Sequence, residues 1–86
     1  LREAVAYYDE QRNGLSDEFL DEVDRAIERV LQFPEAHSLV VKEIRRIRTK
    51  RFPYSLLYKA YQDEIIFFAA MHDRQRPNYW QDRLEV

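Results

Sequence analysis

The hydrophobic period of this chain changes once, at Pro34. Before it, Phe19, Leu20, Val23, Ile27, Val30 and Leu31 recur at spacings of three and four, the stripe of an amphipathic helix. Proline ends such a pattern because it lacks the amide hydrogen a helix interior needs and its ring clashes with the preceding turn. After it, Tyr54, Leu56 and Tyr58 alternate with Ser55, Leu57 and Lys59, the two-residue period of a strand. Helices first and strands afterwards, with no alternation between them, restrict the chain to an α+β architecture.

The first helix spans Leu1 to Arg12, with Leu1, Val5 and Tyr8 on one stripe and Ala4 beside them, and Asn13-Gly14 ends it. The chain begins inside this helix without a Met, as expected of a processed or truncated form of something longer. Ser16 is the expected N-cap of the second helix, with Asp17 and Glu18 in the first turn, where the helix dipole favours negative charge. So short a connection predicts an antiparallel helical hairpin with its apolar stripes on a common surface. Acidic residues 17, 18, 21, 22, 24 and 28 are its expected solvated face.

Pro34 to Leu39 reads as a loop, and three strands are expected after it: Lys42–Arg51, one through Tyr54–Lys59, and Glu64–His72. The first does not alternate strictly, which predicts a bulge or an edge position. The third is apolar on both faces, which predicts a central strand. Pro77 is suited to the first position of a short C-terminal helix carrying Tyr79, Trp80 and Leu84. The whole of residues 1–86 then forms one domain, with the helical hairpin on one face of an antiparallel sheet and the other face open.

Charge is segregated along this plan. Residues 1–41 carry four Arg against ten acids, net −6, while residues 42–86 carry ten Lys and Arg against six acids, net +4. The ribbon Lys42 to Arg51 alone has six basic side chains and one acid. Such a ribbon either concentrates a polyanion or an acidic protein segment, or deters sheet-to-sheet pairing at an exposed strand. The chain has no cysteine, which excludes disulfides and thiolate metal sites and fits a reducing cytoplasm. No apolar run approaches the ~20 residues that span a bilayer.

Gly14 is the only glycine, so no phosphate-cradling loop is present. His37 and His72 lie in different elements with no acid at ligand spacing, so no metal or other cofactor is expected. What remains is a basic cluster. On a strand, Arg46, Arg48 and Lys50 share a face, and His72, Arg74, Arg76 and Tyr79 close the chain near it. Guanidiniums hold phosphates and stabilise the charge that builds on phosphorus when RNA is cleaved by its own 2′-hydroxyl, and a histidine moves protons near neutral pH. Arg45, Arg46, Arg48, Lys50 and Arg51, with His72, Arg74, Arg76 and Tyr79, are therefore the cluster that could hold a phosphate. Lys42, Arg45, Lys50, Arg51 and Arg76 are candidates for binding a partner or an anion. The structural alternative for His72 is a residue that closes a strand and hydrogen-bonds a neighbour, and for Trp80 the plug of a small core.

Four segments, E-A-V-A-Y-Y-D-E-Q-R-N-G-L-S-D-E-F-L-D-E-V, F-P-E-A-H, R-F-P-Y-S-L-L-Y and M-H-D-R-Q-R-P-N-Y-W, together resemble the RelE/ParE superfamily, the toxins of type II toxin–antitoxin modules, often labelled plasmid-stabilisation proteins. The likeness covers almost the whole chain. It implies a helical hairpin on a curved antiparallel sheet, a cognate antitoxin that wraps the toxin, a bacterial cytoplasmic setting, and operator DNA reached only through the antitoxin. Members usually begin with an N-terminal strand that this chain lacks, so a truncated form or a compensating partner strand is expected.

The resemblance implies one of two activities. RelE-like members cut mRNA on the ribosome, and Arg46 and Arg48 sit at the spacing of their paired basic residues upstream of the strand aromatic, here Tyr54. Those members place an arginine directly after that aromatic, whereas this chain has Ser55. Their further arginine corresponds to Arg74 or Arg76 and their tyrosine to Tyr79, so the resemblance implies Arg46, Arg48, Arg74, His72 and Tyr79 as the catalytic set if the chain is a nuclease. ParE-like members instead inhibit DNA gyrase by binding, and the H-D-R-Q-R-P-N-Y-W ending is similar to that branch. The expectation preferred here is a ParE-like poison, with a ribosome-dependent endoribonuclease or an inactive antitoxin-binding relative as alternatives.

Overall fold

The computed structural model describes residues 1–74. Two helices, α1 (Arg2–Gln11) and α2 (Leu15–Gln32), precede four strands, β1 (Ser38–Val41), β2 (Ile44–Arg48), β3 (Tyr54–Ala60) and β4 (Ile65–His72). The strands form one antiparallel sheet in the order β1-β2-β3-β4. The expected α+β plan therefore holds, with four strands in place of three. The closing helix expected from Pro77 lies outside the described residues, and no helix among the described ones is long and apolar enough to cross a membrane.

The helical hairpin turns at Gly14, whose φ of 83° is open to glycine at no steric cost. Gly14, not Ser16, is the N-cap of α2. Ser16 lies one turn-position inside, where its hydroxyl donates to the Asp9 carboxylate and ties α2 back to α1. Beneath this staple, Tyr8 packs on Phe19 and Phe52 with ring centroids 5.0 and 4.9 Å apart. Burial of such rings is worth about 2 kcal/mol each, and Phe19, Val23, Ala26 and Val30 deliver the α2 stripe to the sheet. Leu20 and Leu31, on the margins of that stripe, stay exposed, as does Leu1. Glu22 departs from the acidic face: it is buried, with one oxygen accepting from Arg25 at 3.1 Å.

At Pro34 the chain leaves α2, and the Tyr58 hydroxyl donates to the Pro34 carbonyl at 2.7 Å. That bond satisfies a carbonyl of the loop that follows the helix. β1 then begins at Ser38, inside the expected loop. The expected Lys42–Arg51 strand is divided, because Lys42 and Glu43 form the hairpin turn between Val41 and Ile44. Lys42 takes a φ of 49° there, a left-handed conformation that a sequence without glycine or asparagine at this point does not advertise.

The bulge expected in the basic strand lies elsewhere. The β2–β3 register runs unbroken from Ile44↔Lys59 to Arg48↔Ser55, and the shifts fall between β1 and β2 and at Leu57/Tyr58 against β4. β4 is also not central: among the described residues it pairs only with β3, and Ile66 is exposed. Its two-sided apolar character has another cause. Ile65, Phe67 and Ala70 face the helices, while Ala69 and Met71 join Ile44 and Leu57 in a second apolar cluster on the opposite face. That face, expected to be open, therefore carries an apolar cluster of its own.

Candidate functional site

The sheet register sorts the basic ribbon onto two faces. Arg46 pairs with Leu57 and Arg48 with Ser55, so both arginines lie on the face away from the helices, at the end of β3. Arg45 pairs with Tyr58 on the helix side, where its guanidinium donates to the His37 carbonyl at 2.6 Å. Lys50 and Arg51 fall beyond β2, in the turn before β3. Thr49 closes that turn: its buried hydroxyl donates to the Phe52 carbonyl at 2.7 Å, and its amide to the Tyr54 carbonyl at 2.9 Å. Lys50 thus leaves the face that Arg46 and Arg48 share and projects into solvent.

The two arginines converge on a residue the sequence did not single out. Arg48 Nη2 lies 2.6 Å from Asp73 Oδ2, and Arg46 Nη2 lies 3.5 Å from Oδ1. Between them, fully buried, the Ser55 hydroxyl accepts from Arg46 Nε and donates to Asp73 Oδ1, each at 3.0 Å. Asp73 is itself held by its backbone amide, which donates to the Pro53 carbonyl at 2.8 Å. Two guanidiniums, one hydroxyl and one carboxylate form a closed charge-assisted network. The only signal for Asp73 in the sequence is its place just after a strand, which any solubilising residue shares.

His72 does not join this group. Its register partner is Tyr54, on the helix side, and the two rings meet edge to face at 5.3 Å. Its Nδ1 accepts the Arg74 backbone amide at 3.0 Å. Arg74 is exposed beyond β4. Arg76 and Tyr79 lie outside the described residues. The convergence expected of Arg46, Arg48, Lys50 and His72 on one face is thus reduced to Arg46 and Arg48, because strand alternation turns His72 away and the turn removes Lys50.

A second ionic group links the basic turn to the helices. Arg51 lies 3.1 Å from Glu18, which also pairs with Arg12. Hydrogen bonds from Arg12 and then Arg51 hold the Glu18 carboxyl below its ordinary range. Nearby, Arg29 Nη2 donates to the Arg48 carbonyl at 3.0 Å and anchors α2 over the end of β2. This end of the molecule carries Arg29, Arg48, Lys50 and Arg51 around a hollow of about 560 Å³. Such an arrangement can attract an acidic segment over a distance of several ångströms, although Arg48 and Arg51 already have carboxylate partners.

Residues 1–77 match the family model described as the ParE toxin of type II toxin-antitoxin system, parDE. No curated protein and no solved structure gives a match. The family match spans both helices and all four strands, and with it the chain belongs to the ParE toxin family of type II toxin–antitoxin systems.

Proposed function

We propose that this toxin acts by binding and not by cutting RNA, with DNA gyrase as its target, and that an acidic antitoxin segment neutralises it. One observation carries the reading: Arg46 and Arg48, the pair a nuclease would use on phosphate, are both engaged by Asp73, with Ser55 buried between them. A guanidinium that stabilises a transition state must aim its donors at the charge as it forms. Here those donors are already aimed at a carboxylate, and Ser55 stands where RelE-like relatives carry a further arginine. The decisive assay is DNA supercoiling by gyrase with antitoxin-free toxin. Inhibition that the antitoxin reverses is the expected result, and undisturbed supercoiling at excess toxin overturns the proposal.

A ribosome-dependent endoribonuclease is the second reading, favoured by Arg46 and Arg48 lying side by side on one face. It requires phosphate to displace Asp73. Primer extension on message from a translating extract separates the two, since new 5′ ends that depend on Arg48 arise only under the nuclease reading. Under either, the antitoxin is an acidic chain that folds on binding, drawn to the cationic end at Lys50, Arg51 and Arg74. Its association rate falls with salt more than its dissociation rate rises, because separated charges act on the encounter. The toxin is proposed to work in the cytoplasm, where gyrase and the translating ribosome both lie.

A further inference from the structure

The end of β3 opposite the cationic turn carries a surface of contrary character. β3 runs seven residues from Tyr54 to Ala60, so at a strand rise of about 3.3 Å per residue its two ends lie roughly 20 Å apart. Around the β3–β4 turn and the C-terminal end of α2 lies an open groove of about 920 Å³. Leu31, Phe33 and Tyr61 line it with 59%, 60% and 49% of their surfaces exposed. Side chains of this size are rarely left together in solvent unless they meet a partner.

The charge of the groove selects that partner. Glu35, Asp63 and Glu64 line it, no Lys or Arg does, and none of the three carboxylates forms an ion pair among the described residues. Beside it, Lys59 Nζ lies 4.8 Å from the Tyr61 ring centroid and is matched by Glu43 at 3.1 Å. The acids on the exposed side of α2, Asp17, Asp21 and Asp24, lie outside the lining of this groove.

We infer that this groove docks a cationic amphipathic segment of a partner protein, its apolar side chains seated on Leu31, Phe33 and Tyr61 and its Lys or Arg side chains facing Glu35, Asp63 and Glu64. The surface is distinct from the cationic end assigned above to the acidic antitoxin segment, and it stands whether the target is gyrase or the ribosome. Two ends of opposite charge let one toxin molecule hold two partners of opposite charge at once.

The test is a nuclear magnetic resonance titration of isotope-labelled toxin with an amphipathic helical peptide made only of Leu and Lys. A Lys-only peptide and a Leu–Glu peptide of the same length serve as comparisons. Shifts confined to residues 31–36 and 60–65 are expected, with affinity at least about tenfold above that of either comparison peptide, a difference of about 1.4 kcal/mol. The triple variant Glu35→Gln, Asp63→Asn, Glu64→Gln changes only exposed side chains and is expected to lose about tenfold. Phe33→Asp, also exposed, serves as an independent second variant and is expected to weaken binding comparably. Equal binding of the Lys-only peptide, equal shifts along Asp17 to Asp24, undiminished affinity in the variants, or no shifts at all would each overturn the inference.

Discussion

Arg48 reaches across the end of β3 to Asp73, its Nη2 2.6 Å from Oδ2, and so joins two strands that are not neighbours in the sheet. Strands two apart are separated by about 9.6 Å, a span that the long arginine side chain covers and a shorter residue would not. Ser55, on the intervening strand, fills the space beneath with a hydroxyl that serves both partners. The arrangement fixes the chain just after β4 over the β2–β3 turn, with the Asp73 amide on the Pro53 carbonyl as the second attachment.

Asp73→Ala removes the acceptor common to Arg46, Arg48 and Ser55, and is expected to lower unfolding free energy by about 1–2 kcal/mol, as the loss of charge-assisted hydrogen bonds does. Arg48→Ala is expected to cost less than about 1 kcal/mol, because an exposed ion pair is screened by water; the Arg48 side chain is 62% exposed. Urea denaturation of the two variants side by side checks the ordering. The reverse order would mean that Asp73 does not organise the group.

Ser55 is fully buried, so introducing an arginine there does not convert the protein into a nuclease. Ser55→Arg is expected to destabilise by about 3 kcal/mol, since a long side chain overpacks a fully buried position and crowds a third guanidinium against Arg46 and Arg48. Ser55→Ala, which leaves Arg46 and Asp73 free to meet directly, should cost about 1 kcal/mol. Thermal melts of both variants, read by circular dichroism, measure the difference. A stable, soluble Ser55→Arg protein would contradict the burial.

Tyr58→Phe removes the hydrogen bond to the Pro34 carbonyl and should cost about 1 kcal/mol at neutral pH. Burial also raises the Tyr58 hydroxyl above its ordinary 10.0, with Arg45 opposing. A raised acid of this kind supports the fold fully below its unfolded pKa, and the support is lost as pH rises, because the unfolded chain releases the proton first. Stability of the wild type is therefore expected to fall above about pH 10 more steeply than that of Tyr58→Phe. The residual slope in the variant belongs to Tyr8, which burial raises, and to Lys59, which its hydrogen bond to Glu43 raises.

Glu18 gives the opposite sign. Its carboxyl is held below 4.5 by Arg12 and Arg51, so its contribution is present above the unfolded value and is lost as pH falls through the folded one. Glu18→Gln is expected to flatten the loss of stability between about pH 5 and about pH 3, by a small amount because the group lies in solvent. Urea midpoints across that window, at low and high salt, test both the sign and the screening.

Glu22 provides a test of a different kind. It is 4% exposed, and its Oε2 has no hydrogen-bond partner among the described residues. A buried carboxylate oxygen left in this way costs more than an apolar replacement. Glu22→Met, which preserves length and helix preference, is expected to raise stability by about 1 kcal/mol, seen as a later urea midpoint with an unchanged slope. A destabilised Glu22→Met protein would show that Arg25 and Glu22 act together.

The amino-acid sequence by itself determined the helical hairpin, its end at Pro34, the paths of β3 and β4, and membership of the toxin family, because each rests on local period or on motifs that survive in order along the chain. Local period carries no information about who stands across a sheet. Tertiary structure decided that Lys42 and Glu43 make a turn, that β4 pairs among the described residues with β3 alone, and that the second face of the sheet carries an apolar cluster beside the Arg46–Arg48–Asp73 network. It also decided the site: alternation turned His72 toward the helices, the turn at Thr49 carried Lys50 away, and Asp73, eighteen residues beyond Ser55, closed on Arg46 and Arg48. The physical reason is that charge and burial at this site are set by strand order and register, which bring together β2, β3 and the residue after β4 over separations that no sequence window contains.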